Sequence, residues 1–420
     1  MRTQSPDLPQ TDGLRTPPVA AVSDGPPATD FSLRRIALPA FGPSLMLGIA
    51  EGAVYPVLAL SALERGASAA MAGFIVALVP IGQMLGNLPA AAVASAWGER
   101  RAMVGAALAG LVALALCLLA PSLWLFGGAV FALGWVGAVF KLARQTWLTE
   151  AAPRHLRART MSTLGGTVRI GMFIGPFAAA GLIHAFGLRG AYWAAMAAML
   201  AAGAIAFAVP DLVAPASAGP RASSRAIMRR EIGVYGRIFL TLGLATALVS
   251  ALRACRQIVI PLWAESMGLS AADTALIYGL MGAMDMLLFY PAGRIMDLWG
   301  RLWISVPSML IMGASFLALP LATGFASLLA VSLVLGFGNG IGSGLILTLG
   351  ADASPRQGRT EFLAIWRVIA DGGGGAGPLL LSGLTGALSL AAGIVAVGGL
   401  GFVAAWMFWR WLPRQAGTAR

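Results

Sequence analysis

Apolar runs of about 20 residues or more follow one another along the chain, divided by short polar segments, and none of the long runs shows strand-like alternation. About 20 apolar residues span a bilayer as a helix. Twelve such spans are predicted, at roughly 36–62, 69–96, 102–120, 123–150, 159–187, 190–210, 233–263, 270–298, 302–322, 325–350, 359–387 and 388–411. In lipid the backbone polar groups must be satisfied within each segment, so the spans are expected to be helices. The 54 glycines, many of them inside the spans, let such helices approach closely. The segment 211–232, DLVAPASAGPRASSRAIMRREI, is polar, basic and Pro-containing, and it divides the spans six and six.

The two halves resemble each other at a fixed offset of 202 residues (270 − 68 = 202). Ser68 returns as Ser270, Pro89 as Pro291, Gly98 as Gly300, Gly134 as Gly336, Pro153 as Pro355, Arg154 as Arg356 and Arg157 as Arg359. The pair Gly175-Pro176 returns as Gly377-Pro378, and Glu150 returns as the like-charged Asp352. A hydrophobic chain built from two similar halves is the pattern of a repeat-built secondary transporter. The expected fold is an all-α membrane protein of twelve transmembrane helices in two pseudo-symmetric six-helix bundles, residues 36–210 and 233–411. They are joined by a cytoplasmic linker at 211–232 and flanked by cytoplasmic tails at 1–35 and 412–420.

Composition agrees: 58% of residues are hydrophobic and 11% charged, and the mean hydropathy is +0.80. The net charge of +12 does not point to nucleic acid, because the basic residues form no single patch but lie between spans. Lys141 is the only lysine among 29 basic residues. Arg100, Arg101, Arg154, Arg157, Arg221, Arg225, Arg229, Arg230, Arg301, Arg356, Arg410 and Arg414 lie on one side, whereas the opposite loops hold Arg65 and Arg189. By the positive-inside rule both termini and the linker are expected to be cytoplasmic, in a multi-pass protein of the cell membrane. Residues 1–35 lack the apolar core of a signal peptide and are expected to be a disordered tail. Two cysteines, Cys117 and Cys255, and two histidines, His155 and His184, give no disulfide framework and no metal site. No Walker-type phosphate loop, nucleophile–base pair or cofactor motif is present, so an enzyme is not expected.

A charge deep in the bilayer costs at least about 2.5 kcal/mol, so each one calls for a reason. Nine fall inside spans: Glu51, Lys141, Arg144, Arg169, Arg253, Arg256, Asp285, Arg367 and Asp371, six basic and three acidic. Gln83, Asn87 and Asn339 are the main embedded amides. Spans three, six, nine and twelve have uncharged interiors, as expected if those four helices face lipid and the other eight line a polar central cavity. Glu51 and Arg253 are related by the repeat. Glu51 is the first choice for a proton-coupling carboxylate and Asp285 the second; the competing reading is a static ion pair with an arginine of the facing half. Arg367 and Asp371, four apart, are expected to pair within their helix. Lys141 with Arg144, and Arg253 with Arg256, share a face but have no acid four residues away, so with Arg169 and Asn339 they are candidates for substrate or counter-charge contacts.

Span five reads GGTVRIGMFIGP and span eleven RVIADGGGGAGP. Gly175, Pro176, Gly377 and Pro378 are therefore expected either to loosen these helices for alternating access or to serve close packing. After span eight the chain reads Gly293-Arg294-Ile295-Met296-Asp297-Leu298-Trp299-Gly300-Arg301, with Asp297 at the unfavourable negative end of a helix. This stretch resembles the loop signature of the major facilitator superfamily: Gly, three residues, Asp, two residues, Gly, Arg. The resemblance extends over 36–411 and implies a cytoplasmic latch between the halves at Gly293, Asp297, Gly300 and Arg301. The first-half copy keeps Gly98, Arg100 and Arg101 but carries Ala91 and Ser95 in place of the first Gly and the Asp. Gly171, Gly175 and Pro176 are similar to the fifth-span motif of the drug–proton antiporters, with Ser162 in place of a further glycine. Leu47 to Pro56 resembles that group's first span, and Val130 stands where its fourth-span arginine would be.

The function expected is secondary active transport by alternating access: proton-coupled export of small amphipathic organic compounds. Its partners would be a small-molecule substrate, protons or another coupling ion, and membrane lipid, with the chain acting as a monomer. The first alternative is a carrier for an organic anion or anionic metabolite, which the excess of embedded arginines supports. The second is a non-transporting membrane sensor or scaffold.

Overall fold

The computed structural model describes residues 37–151, 157–208, 233–355 and 359–412. The expected tails, apart from Leu412, and the 211–232 linker lie outside them. The helices are α1 (Ala37–Glu64), α2 (Ala69–Trp97), α3 (Glu99–Leu119), α4 (Leu123–Ala151), α5 (Arg157–Phe186) and α6 (Arg189–Ala208), then α7 (Gly233–Ser266), α8 (Ala271–Trp299), α9 (Leu302–Leu321), α10 (Phe325–Ala353), α11 (Arg359–Ala387) and α12 (Leu390–Trp411). Eleven of them are long and apolar enough to cross a membrane. The twelfth, α11, is an unbroken 29-residue helix that carries Arg367, Asp371 and a glycine run in its middle.

The 202-residue repeat has a structural meaning at four of the pairs that show it. Ser68 and Ser270 are the N-caps of α2 and α8, accepting from the amides of Met71 (3.2 Å) and Asp273 (3.1 Å). Gly98 and Gly300 carry φ of +79° and +92° at the turns that follow those helices, a conformation that costs other residues strain. Gly134 on α4 is pressed against Val79 of α2, and Gly336 on α10 against Met281 of α8, which is Val79 shifted by 202. Gly175 meets Ile49 and Ala53 of α1; Gly377 meets Ala251 of α7, again Ile49 shifted by 202. The glycines of both halves thus set equivalent helix–helix approaches, α1 on α5 and α7 on α11, where a side chain would strike backbone.

Within the first half α2 packs on α4, α4 on α3, and α6 on both α3 and α5. Within the second α7 packs on α11, α8 on α10, and α9 on α10 and α12. The halves meet along two seams, α2 against α11 and α5 against α8. At the start of α2 and the end of α11, where Ala70 lies beside Gly386, Ser382 Oγ donates to the Ala70 carbonyl at 2.6 Å. Deeper in, Gly279 makes room for the ring of Phe177. Large apolar side chains stand exposed along α3 (Leu108, Val112, Leu119), α6 (Trp193, Leu200, Phe207), α9 (Trp303, Leu310, Leu321) and α12 (Phe402, Val403, Trp406). These four spans have uncharged interiors, as do spans two and ten, and large apolar side chains also stand exposed on other helices, such as Leu85 on α2, Ile174 on α5 and Leu287 on α8.

The pattern of apolar residues runs through span ten without a break, but the helix does not. It consists of Phe325–Ile341 and Leu345–Ala353, separated at Gly342–Gly344, with Gly344 at φ +81°. The tenth span stands as one membrane-length segment, Phe325–Ala353, with a break inside it. Glycines at 336, 338, 340, 342 and 344 lower the cost of interrupting the helix, and the interruption frees backbone groups that side chains then use.

Candidate functional site

The break in α10 lies beside Asp285, the midpoint of α8 ((271 + 299)/2 = 285). Four side chains from three other helices converge on its carboxylate. Asn339 Nδ2 of α10 donates to Oδ2 at 2.6 Å, and Ser343 Oγ, in the break, donates to Oδ1 at 3.4 Å. Arg256 Nη2 of α7 lies 3.6 Å from Oδ2. Arg169 Nη1 of α5 lies 3.9 Å from Oδ1 and donates to Ser343 Oγ at 2.7 Å. Arg253, one turn before Arg256, donates from Nη2 to the Gly342 carbonyl at 2.7 Å. Arg169 belongs to the first half and all the other members to the second. This polar knot therefore bridges the halves in the α5–α8 seam, near mid-helix on α7 and α8.

Its charges do not balance. Three guanidinium groups face one carboxylate, and their hydrogen bonds are incomplete. Arg256 is 8% exposed and Asn339 6%. Nε and Nη1 of Arg256, Nε of Arg253 and Oδ1 of Asn339 are buried without a hydrogen-bond partner. Orphaned polar atoms of this kind cost about 1–3 kcal/mol each, more when charged.

The second embedded acid is held differently. Glu51 Oε1 lies 2.7 Å from Lys141 Nζ of α4. The partner is a lysine of its own half, not the arginine of the facing half that the competing reading supposed. One turn on, the Tyr55 hydroxyl lies 3.5 Å from Gln83 Nε2 of α2. Gly137 lies beside the Glu51 carboxylate, at a distance where a Cβ would make ordinary contact of 3.4 Å. A small, mostly apolar cavity within the first half is lined by Glu51 and Tyr55 together with Leu47, Val79, Leu133 and Met199.

Other residues singled out in the sequence are placed elsewhere. Arg144 is 1% exposed. Its Nη2 donates to the Pro39 carbonyl at 2.6 Å, and the guanidinium stacks 4.8 Å from the Trp147 ring centroid, so it diverges from Lys141 despite their spacing. Arg367 and Asp371 pair within α11 at 3.8 Å, as their spacing predicts, with Arg367 largely exposed. Arg301 reaches Asp352 of α10 at 2.9 Å and the Met296 carbonyl at 2.7 Å, both within its own half. The side chains of Gly293 and Asp297 lie outside the described residues. α5 and α11 continue as helices through Pro176 and Pro378.

Ser343, the Gly342 carbonyl, Tyr55 and Gln83 are site members that charge counting does not find. The alternating glycines of 336–344 are the sequence signal for the first two. Among the described residues no group of His, Cys, Asp and Glu could hold a metal ion.

A family model described as Major Facilitator Superfamily matches residues 44–284 and 242–420. The chain resembles the solved inward-open xylose transporter XylE from E. coli at 17% identity, covering 92% of this chain and 98% of that one, with a TM-score of 0.69. It resembles a POT family transporter in complex with 5-aminolevulinic acid at 12% identity, covering 90% and 96%, TM-score 0.72. It also resembles the human organic anion transporter TETRAN at 15% identity, covering 89% and 99%, TM-score 0.63. At these identities the likeness is one of fold. No curated protein matches the chain.

Proposed function

The chain belongs to the Major Facilitator Superfamily, and on that premise we propose that it is a proton-coupled secondary transporter that exports small amphipathic organic compounds by alternating access. In this reading residues 36–210 and 233–411 rock against each other within the cell membrane, with the 211–232 linker and both termini cytoplasmic. The observation that carries it is the ion contact between halves: Arg169 of α5 held by Asp285 of α8 and by Ser343 of the broken α10. Half-to-half motion must break this contact, and Asp285 is the one acid among its members. A proton on Asp285 removes the negative charge that holds Arg169 and Arg256, so uptake of the proton loosens the α5–α8 seam and its release restores it. Discontinuous helices beside embedded charges are a recurring feature of transporter sites. The Glu51–Lys141 pair is the second proton site of this reading. It lies within one half, so it tunes the first bundle rather than clamping the two together.

A second reading of the cargo, a small organic anion, has its own support: three arginines around one carboxylate leave positive charge that a ligand could neutralise. The test is transport in sealed vesicles with an imposed pH gradient, offering acidic, neutral and cationic compounds to the wild type, Glu51→Gln and Asp285→Asn. Gradient-driven movement that is lost in Asp285→Asn is the expected result. Movement that ignores both the gradient and the two substitutions would overturn proton coupling, and the compounds moved choose between the two cargo classes.

A further inference from the structure

Asn339 and Arg256 present complementary unmet needs at one place. Asn339 spends its amide donor on Asp285 Oδ2, which leaves Oδ1 with no donor to accept from. Arg256 approaches the same oxygen through Nη2 and leaves Nε and Nη1 with no acceptor. Arg253, one turn earlier on α7, leaves its Nε unpartnered as well. Asn339 and Arg256 are both more than nine-tenths buried, so the missing partner is not bulk water. Among the described residues, the titratable or charged groups facing this point include Arg169 from α5, Arg253 and Arg256 from α7, and Tyr278 and Asp285 from α8, with Glu51 and Tyr55 of α1 acting electrostatically on Tyr278, and the amide of Asn339 and the hydroxyl of Ser343 from α10.

We infer that this point is the head-group subsite for cargo, and that it takes a small carboxylate carrying a hydroxyl or amino donor beside the acid, such as a 2-hydroxy or 2-amino acid. This rests on the transporter reading above and narrows its anionic alternative. The carboxylate accepts from Arg256 and Arg253, and the adjacent O–H or N–H donates to Asn339 Oδ1. Asp285 keeps the Asn339 amide fixed, so the acceptor points toward the cargo and not away from it. Separation of α5 from α8 removes Arg169 from Ser343 and uncovers the subsite. A compound lacking the donor would leave Oδ1 unpaired in a buried site, and one lacking the acid would leave the arginines unpaired; buried polar groups left unpaired are what gives a site strong discrimination.

The test is equilibrium binding to the purified full-length chain in lipid nanodiscs, without a pH gradient. The probes are phenyllactate, phenylpropionate, which lacks the hydroxyl, and phenyllactamide, which lacks the acid. Phenyllactate should bind at least about tenfold more tightly than phenylpropionate, and phenyllactamide more weakly than either. Asn339→Leu should bring the two acids to within about twofold of each other. The wild-type ratio decides the matter alone if that variant does not fold. Equal binding of the two acids, binding of the amide as tight as that of phenyllactate, or no binding of any probe would each overturn the subsite. Gradient-driven transport of other compounds, kept despite such a result, would leave the transporter reading standing. Acid binding without gradient-driven movement would do the reverse.

Discussion

Replacing Arg169 with methionine keeps the volume of the side chain and removes its charge, so it isolates what holds α5 against α8. The Arg169–Asp285 pair, at 3.9 Å, has a gross attraction of about 4 kcal/mol at an effective dielectric of about 20. Arg169 is one-third exposed, and desolvation and side-chain ordering reduce this to a net of about 1 kcal/mol. The hydrogen bond to Ser343, at 2.7 Å from a charged donor, adds about 1.5–2 kcal/mol. The seam should therefore lose about 2–3 kcal/mol, a shift of roughly 30- to 150-fold in the balance between packed and separated seams. Disulfide formation between Phe177→Cys and Gly279→Cys reports this directly, because a side chain at Gly279 would meet the Phe177 ring across the halves. The native Cys117 and Cys255 are buried and do not compete. Arg169→Met should slow cross-linking by at least about tenfold. An unchanged rate would refute the claim that the Arg169 contacts clamp the halves.

Three further substitutions test the rest of the structure. Gly377→Leu drives a side chain into Ala251, whose Cα lies 2.7 Å from the Cβ position; it should destabilise by about 1–3 kcal/mol or more in a thermal melt, whereas Gly181→Leu, with open space around it, should not. Arg144→Met removes a buried cation whose Nε and Nη1 lack partners, and the melt should show stability unchanged or raised by up to about 2 kcal/mol; a large loss would mean that Arg144 is better compensated than its contacts indicate. Arg301→Ala breaks the 2.9 Å pair with the half-exposed Asp352 and should cost about 1 kcal/mol or less, with the difference from wild type shrinking at high salt.

The spans, the six-plus-six division of the pattern and the candidate charges could all be read from the chain, because hydropathy at bilayer length and a 202-residue offset survive without any knowledge of packing. The offset also marked two pairs of the glycines at which side chains would strike a neighbour's backbone, 134/336 and 175/377. Apart from Arg367 and Asp371, which pair four apart on one helix, the partners of the charges could not be read. Lys141 and Arg144 are three apart and so about 60° apart around a helix, close enough to suggest one face. That small angle nonetheless sends Lys141 to Glu51 and Arg144 to the Pro39 carbonyl. Which of several neighbouring helices a side chain meets is a fact of three-dimensional packing that one helix's periodicity does not contain. The α10 break was hidden for a different reason: Ile341 to Leu347 is apolar or small throughout, so hydropathy continues across a stretch where the backbone does not. Ser343 went unnoticed with it, because a lone serine in an apolar run carries no charge to draw attention.

The central claim is that the charge on Asp285 sets whether the halves are clamped. It is tested most directly by spin-label distances between the halves as pH is changed, with no cargo needed. Labels at the exposed positions Trp97 and Trp299 report one end of the molecule, and labels at Ser122 and Thr323 the other. The account predicts that acid pH shifts both distance distributions in opposite senses in the wild type, and that Asp285→Asn shows the acid distributions already at neutral pH. Distributions that do not move with pH, or that Asp285→Asn leaves at their wild-type neutral values, would contradict it.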